Sequence, residues 1–125
     1  MPEENPQLEF FGQLLMEHVR DQAIRDSARL LDRRTNSTIA AQVTEIISSF
    51  DDEDVSVVKR LIPIIVDATL HHLLWTLEQW PNVRVAIATD SGSIDDIRTA
   101  TLGELQGYLY DWIPRFSEEP YDPLP

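Results

Sequence analysis

The chain has 125 residues, of which 42% are apolar, enough for a single domain with one hydrophobic core. Its formal net charge of -12 and isoelectric point of about 4.4 argue against sequence-independent binding to nucleic acids or to anionic membranes, which are themselves negatively charged. The absence of cysteine excludes disulfides, thiolate metal sites and cysteine nucleophiles.

The first residues are acidic and proline-containing, and they lack the basic and apolar regions of a signal peptide. The longest apolar run, Leu61 to Leu77, is interrupted by polar residues and by Pro63, so we expect no membrane span. These features predict a cytoplasmic protein of one domain, residues 1–125, with loosely ordered ends at 1–6 and 118–125.

Apolar residues at steps of three and four predict a first helix from Leu8 to Arg33. Its inward stripe is predicted to comprise Leu8, Phe11, Leu15, Val19, Ala23, Leu30 and Leu31. On another face, the chain's one basic cluster contains Arg25, Arg29 and Arg33 at four-residue spacing. This cluster is either a solvated face or a surface that binds an acidic partner or the acidic face of a second copy.

Capping residues at 35–37 predict a second helix from Thr38 to Phe50. Its core-facing residues would be Ile39, Val43, Ile46, Ile47 and Phe50. A third helix is predicted from Asp54 to Gln79, and it is apolar around most of its circumference, which is typical of a central helix packed on several sides. Pro63 should kink this helix near residues 60–62 or split it into two.

Alternating β-branched residues predict a strand at 83–89, followed by a turn at 90–93. Short helices are predicted at 94–99 and 102–111, although Tyr108 to Ile113 could instead pair with that strand. The predicted fold is therefore mainly α: a helical bundle of three main helices with a kinked central helix and a small C-terminal α+β or β-hairpin extension.

Three polar residues of the third helix, Asp67, His71 and Glu78, are candidates for metal binding or acid–base chemistry, since they share one face at about 100° per residue. The alternative is a solvated stripe on an otherwise buried helix. There is no nucleophile-elbow, P-loop or dinucleotide-binding motif, so we expect no cofactor and no catalysis.

The C-terminal region is rich in aromatic residues mixed with charges. Its candidate partner-binding residues are Tyr108, Tyr110, Trp112, Arg115 and Phe116. Such a segment either covers the core or forms a protein-binding patch. We predict that it packs across the third helix and brings Trp112 into one cluster with Trp75 and with Leu74 or Ile113.

Two stretches, His71-His-Leu-Leu-Trp-Thr-Leu-Glu78 and Gly107-Tyr-Leu-Tyr-Asp-Trp-Ile-Pro-Arg-Phe-Ser117, resemble segments of small bacterial proteins of uncharacterised function. The resemblance implies no active site. In composition the chain also resembles toxin-neutralising immunity proteins.

The sequence thus favours an acidic protein-interaction module of accessory, inhibitor or immunity type. Its expected partner is a protein, either a basic one or a second copy in a homodimer. The alternative hypothesis is a small metal-binding protein or enzyme that uses Asp67, His71 and Glu78.

Overall fold

A computed structural model describes residues 5–33 and 36–119. The protein is mainly helical with a small two-stranded antiparallel sheet, as predicted. Its elements, in chain order, are α1 (Pro6–Leu15), a π-helical segment (Met16–Arg20), α2 (Asp21–Leu31), α3 (Thr38–Ile46), α4 (Asp52–Gln79), β1 (Ile87–Thr89), β2 (Gly92–Ile94), α5 (Arg98–Thr101) and α6 (Leu105–Phe116).

The predicted first helix is present, but the π segment between α1 and α2 changes which of its residues face inward. In an α-helix, each step of four residues turns the side chain by about 40° around the axis. The wider turn of the π segment offsets this rotation, so residues spaced by four stay on one side of the helix. A buried residue therefore recurs every four positions, at Leu8, Gly12, Met16, Arg20 and Ile24, and Gln7, Asp21 and Leu31 are buried as well. The predicted stripe is correct at its two ends and wrong at Val19, which is exposed.

Helix α3 starts at the Ser37 cap, whose side chain accepts a hydrogen bond from the Ala40 amide, and ends four residues before the predicted Phe50. Ile47 is buried as predicted. The prediction is wrong for Ile39, Ile46 and Phe50, which are exposed, because α3 packs on α2 through the adjacent side of the helix, at Val43 and Ile47.

Helix α4 is one uninterrupted helix of 28 residues, so Pro63 does not split it. Its N-terminal half packs on α2, where Ile62 shares a cluster with Ile24, Leu31 and Ile47, and its C-terminal half packs on α6 around Leu70 and Leu74. The helix was predicted to be packed on most sides, but one side is exposed to solvent, at Val57, Leu61 and Ile65 among others.

Helix α4 begins in a reciprocal capping box, in which the Asp51 side chain accepts from the Asp54 amide and the Asp54 side chain accepts from the Asp51 amide. We expect Asp51→Ala to lower the free energy of unfolding by about 1 kcal/mol, because it removes the cap. Urea unfolding measures this loss. Asp52→Ala is the matched control: it removes another exposed carboxylate, one that makes no capping hydrogen bond in the box, so a similar loss in both variants would contradict the prediction.

The predicted strand at 83–89 is shorter than expected, and only its last three residues pair in a hairpin that aligns Ile87 with Ile94. Positive backbone angles at Leu102 and Gly103 separate α5 from α6. Residues 108–113 lie within α6, so the alternative strand there is wrong. The hairpin and α6 both pack against α1.

Helix α6 packs across α4 as predicted, and Trp112 shares a cluster with Leu74 and Ile113. Trp75 is not part of this cluster and is 43% exposed, because it projects about 100° around the α4 axis from the buried Leu74. Trp112 instead contacts the rings of Phe11 and Tyr108.

Residues 1–4 and 120–125, within the ends predicted to be loosely ordered, lie outside the described part of the chain. Asn5 caps α1 by accepting a hydrogen bond from the Leu8 amide, and Pro6 occupies the first turn. Glu118 and Glu119 are held by hydrogen bonds described below.

Candidate functional site

A buried ion pair links the π segment to the middle of α4. Arg20 is fully buried, and its Nε and Nη2 atoms donate to the two carboxylate oxygens of Asp67 at 2.7 and 3.1 Å. This bidentate geometry is the strongest form of an arginine–carboxylate contact. The charge of Asp67 is therefore neutralised inside the protein.

The same arginine holds the chain after α6. Its Nη1 atom donates to Ser117 Oγ at 2.7 Å and to the backbone carbonyl of Glu119. Asp21, also buried, accepts from Ser117 Oγ and from the Glu118 amide. The buried charges thus connect α2, α4 and residues 117–119, which gives them a structural role.

The metal and acid–base candidates are not brought together. Asp67 contacts Arg20, His71 Nδ1 lies 3.1 Å from the hydroxyl of Tyr110, and buried Glu78 accepts from Thr101 Oγ1 at 2.8 and 2.9 Å. Within residues 5–33 and 36–119, no group of three or more His, Cys, Asp or Glu residues is placed to hold a metal ion. The solvated-stripe alternative is also wrong for Asp67 and Glu78, since both are buried.

The three arginines of α2 and its C-terminal end have separate partners. Arg25 forms ion pairs with Glu118 and Glu119 at 2.8 and 3.1 Å, and these hydrogen bonds, the one to Glu119 first, raise the pKa of its guanidinium. Arg29 pairs with Asp26, and Arg33 donates to the carbonyl of Ile47. Arg25 therefore binds the chain's own C-terminal segment.

The aromatic candidates of α6 divide between core and surface. Trp112 is completely buried, and burial raises the pKa of the Tyr108 hydroxyl. Arg115 lies 4.7 Å from the ring centre of Phe116, and it forms ion pairs with Glu9 and Asp111, which raise its pKa. Tyr110 remains exposed beside His71.

A continuous apolar surface runs along the solvent side of α4. Its residues, named here the outer face, are Val57, Leu61, Ile64, Ala68 and Trp75, all exposed. At about 100° per residue, they project within about 60° of one another. Ile65 and His72 flank them, and the large apolar side chains of this surface are between 36% and 61% exposed.

Charge is distributed unevenly along this helix. Four exposed acids, residues 51–54, lie at its N-terminal end. From Val55 to Gln79 the only acids are Asp67 and Glu78, and both are buried. The outer face therefore carries no carboxylate beyond its first turn, although the whole chain has a net charge of -12.

The sequence analysis predicted neither the buried Arg20–Asp67 ion pair nor the outer face of α4. Arg20 could have been found because it falls in register with Leu8, Gly12, Met16 and Ile24, an arginine on an otherwise apolar face. The outer face could have been found from the excess of apolar residues on α4 over what two neighbouring helices can cover.

Comparison with protein-family models, with curated proteins and with solved structures gives no match to this chain. No helix within the described residues is long and apolar enough to cross a lipid bilayer.

Proposed function

We propose that this protein is an acidic protein-interaction module of accessory, inhibitor or immunity type that acts in the cytoplasm through the outer face of α4. The observation that carries the proposal is the row of large, exposed apolar side chains at 57, 61, 64 and 75. Contiguous apolar surface on a small domain is typical of a protein-binding site. Covering it stabilises a complex by about 25 cal/mol for each Å² removed from water.

The polar residues of α4 also support the proposal, because their hydrogen bonds are made within the protein. Asp67 and Glu78, the acids required by a metal-binding or acid–base function, are buried and hydrogen-bonded within the protein. His71 is paired with Tyr110. The side chains of α4 that remain accessible along the outer face are mostly apolar, and these contribute to association rather than to proton transfer.

Affinity purification from the native cell tests this function with a matched pair of variants. We expect proteins recovered with the wild-type chain to fall at least about tenfold with Leu61→Glu, since a buried, unpaired carboxylate costs more than about 1.4 kcal/mol. Leu14→Glu is the control, because Leu14 is similarly exposed, at 42% against 47%, but lies on α1. Equal recovery with wild type and both variants would overturn the proposal, provided that thermal unfolding shows all three folded.

A further inference from the structure

The spacing of the outer face is that of a two-helix seam. Residues 57, 61, 64, 68, 71 and 75 follow alternating steps of four and three, the spacing at which one helix packs lengthwise against another. His71 occupies one position of this seam, where it is partly covered by Tyr110. The seam spans about 27 Å at 1.5 Å per residue, so a helix of similar length is needed to cover it.

We propose that the outer face of α4 binds the same face of a second copy in antiparallel orientation, which deepens and rests on the interaction function proposed above. A two-fold axis near residue 66 places 57 against 75, 61 against 71, and 64 against 68 of the other copy. Each contact then pairs one seam position with a different seam position of the other copy, and the reverse contact is made as well, as a self-complementary interface requires.

The charges along α4 select this orientation. Parallel pairing would bring the acids 51–54 of both copies together, with strong like-charge repulsion. Antiparallel pairing separates the two acidic ends by the length of the helix and places each near residues 78–81 of the partner helix, where Arg98 donates to the Trp80 carbonyl and is paired with Asp96. Opposed helix dipoles favour the same orientation.

The absence of carboxylates along the outer face favours a second copy over a basic protein. A basic partner requires carboxylates along its docking surface, and the outer face has none from Val55 to Gln79. A second copy supplies an apolar seam of matching length and spacing. Because two protomers of charge -12 repel each other, the dimer should tighten as salt is added, whereas a complex with a basic partner should weaken.

Sedimentation equilibrium of the full chain is the first test. We expect twice the protomer mass of 14.3 kDa in the micromolar range, and a dissociation constant that falls as salt rises. Ile64→Glu and Ala68→Lys should each weaken the dimer by at least about a hundredfold, since each places an unpaired charge in the seam. Leu14→Glu is the folded control that should leave it unchanged.

Mixing the two seam variants tests the orientation. Ile64→Glu protomers mixed with Ala68→Lys protomers should recover a heterodimer, because antiparallel pairing sets the new carboxylate against the new ammonium. Since the chain has no cysteine, introduced thiols are unique. A short bis-maleimide should join Val57→Cys to Trp75→Cys protomers and should not join two Val57→Cys protomers.

The outcomes separate this proposal from the function on which it rests. If the chain is a monomer at every concentration, but another protein is recovered with wild type and not with Leu61→Glu, then self-pairing is overturned and the interaction function still stands. Cross-linking between two Val57→Cys protomers would overturn the antiparallel orientation. A monomer whose recovered proteins are insensitive to Leu61→Glu would overturn both.

Discussion

Replacing Arg20 by methionine is expected to lower the free energy of unfolding by about 3–5 kcal/mol, because it leaves the buried carboxylate of Asp67 without its cation. The pair is almost entirely removed from water, with side-chain exposures of 0% and 8%. The same change removes the donors to Ser117 Oγ and to the Glu119 carbonyl. Urea unfolding followed by tryptophan fluorescence measures the loss.

Two further variants identify the cause of that loss. Arg29→Met removes an exposed arginine whose pair with Asp26 is open to solvent, and should lower stability by about 0.5 kcal/mol or less. Arg20→Met combined with Asp67→Leu removes both charges and should regain part of the lost stability, since an apolar pair leaves no orphan carboxylate. A loss below about 1 kcal/mol for Arg20→Met alone would show that the ion pair is not needed for stability.

The buried Arg20 also shows which feature of the fold periodicity in the sequence could not predict. Periodicity predicted the long helices, since apolar residues recur at steps of three and four whatever their neighbours are. Between Leu8 and Leu31 it placed Val19 inward and did not predict the burial of Arg20, because it assumed an α-helix throughout and counted only apolar residues as core. Arg20 can be buried because Asp67, 47 residues away, and the Ser117–Glu119 segment accept its hydrogen bonds, and these contacts are fixed by tertiary packing.

Helix α4 shows a second limit of sequence-based prediction, which concerns how much of an apolar helix is covered by its neighbours. Its apolar circumference indicated several packing neighbours, and within the described residues two helices, α2 and α6, cover its inner sides. The sequence could predict how much apolar surface α4 has but not how many elements would reach it. The same ambiguity led to the error at Trp75, which follows the helical pattern of Leu74 by one residue and so projects about 100° away from it.

The hairpin and α6 were predicted less well because their signals are local and weak. Tyr108 to Ile113 has the residue composition of a strand, and Gly107 lowers helix propensity. The packing of Leu105, Leu109, Trp112 and Ile113 on one side of a helix outweighs both preferences. Tertiary burial of these four side chains therefore decides the secondary structure of this region.

Trp112→Ala is expected to lower the free energy of unfolding by about 3–5 kcal/mol, a large fraction of the stability of a domain of this size. The indole is fully buried and forms an edge contact with Phe11, whose ring centre is 6.1 Å away. Its removal opens a cavity between α1, α4 and α6 that rigid helices cannot fill. Thermal and urea unfolding measure the loss, and Trp80→Ala, at an exposed indole, is the control.

The close approach of α1 to this indole gives the sharper test of the same contact. A Cβ atom at Gly12 would lie 2.4 Å from Cε2 and Nε1 of Trp112, so Gly12→Ala should cost about 1–3 kcal/mol despite the helix preference for alanine. Gly107→Ala is the matched control, because its nearest neighbour is a flexible carboxylate at 3.7 Å, and it should stabilise α6 by about 0.5–1 kcal/mol. In a Trp112→Leu background the cost of Gly12→Ala should disappear, since the smaller side chain leaves room for the added methyl group. Equal costs of Gly12→Ala in both backgrounds would show that the glycine is required for a reason other than the indole.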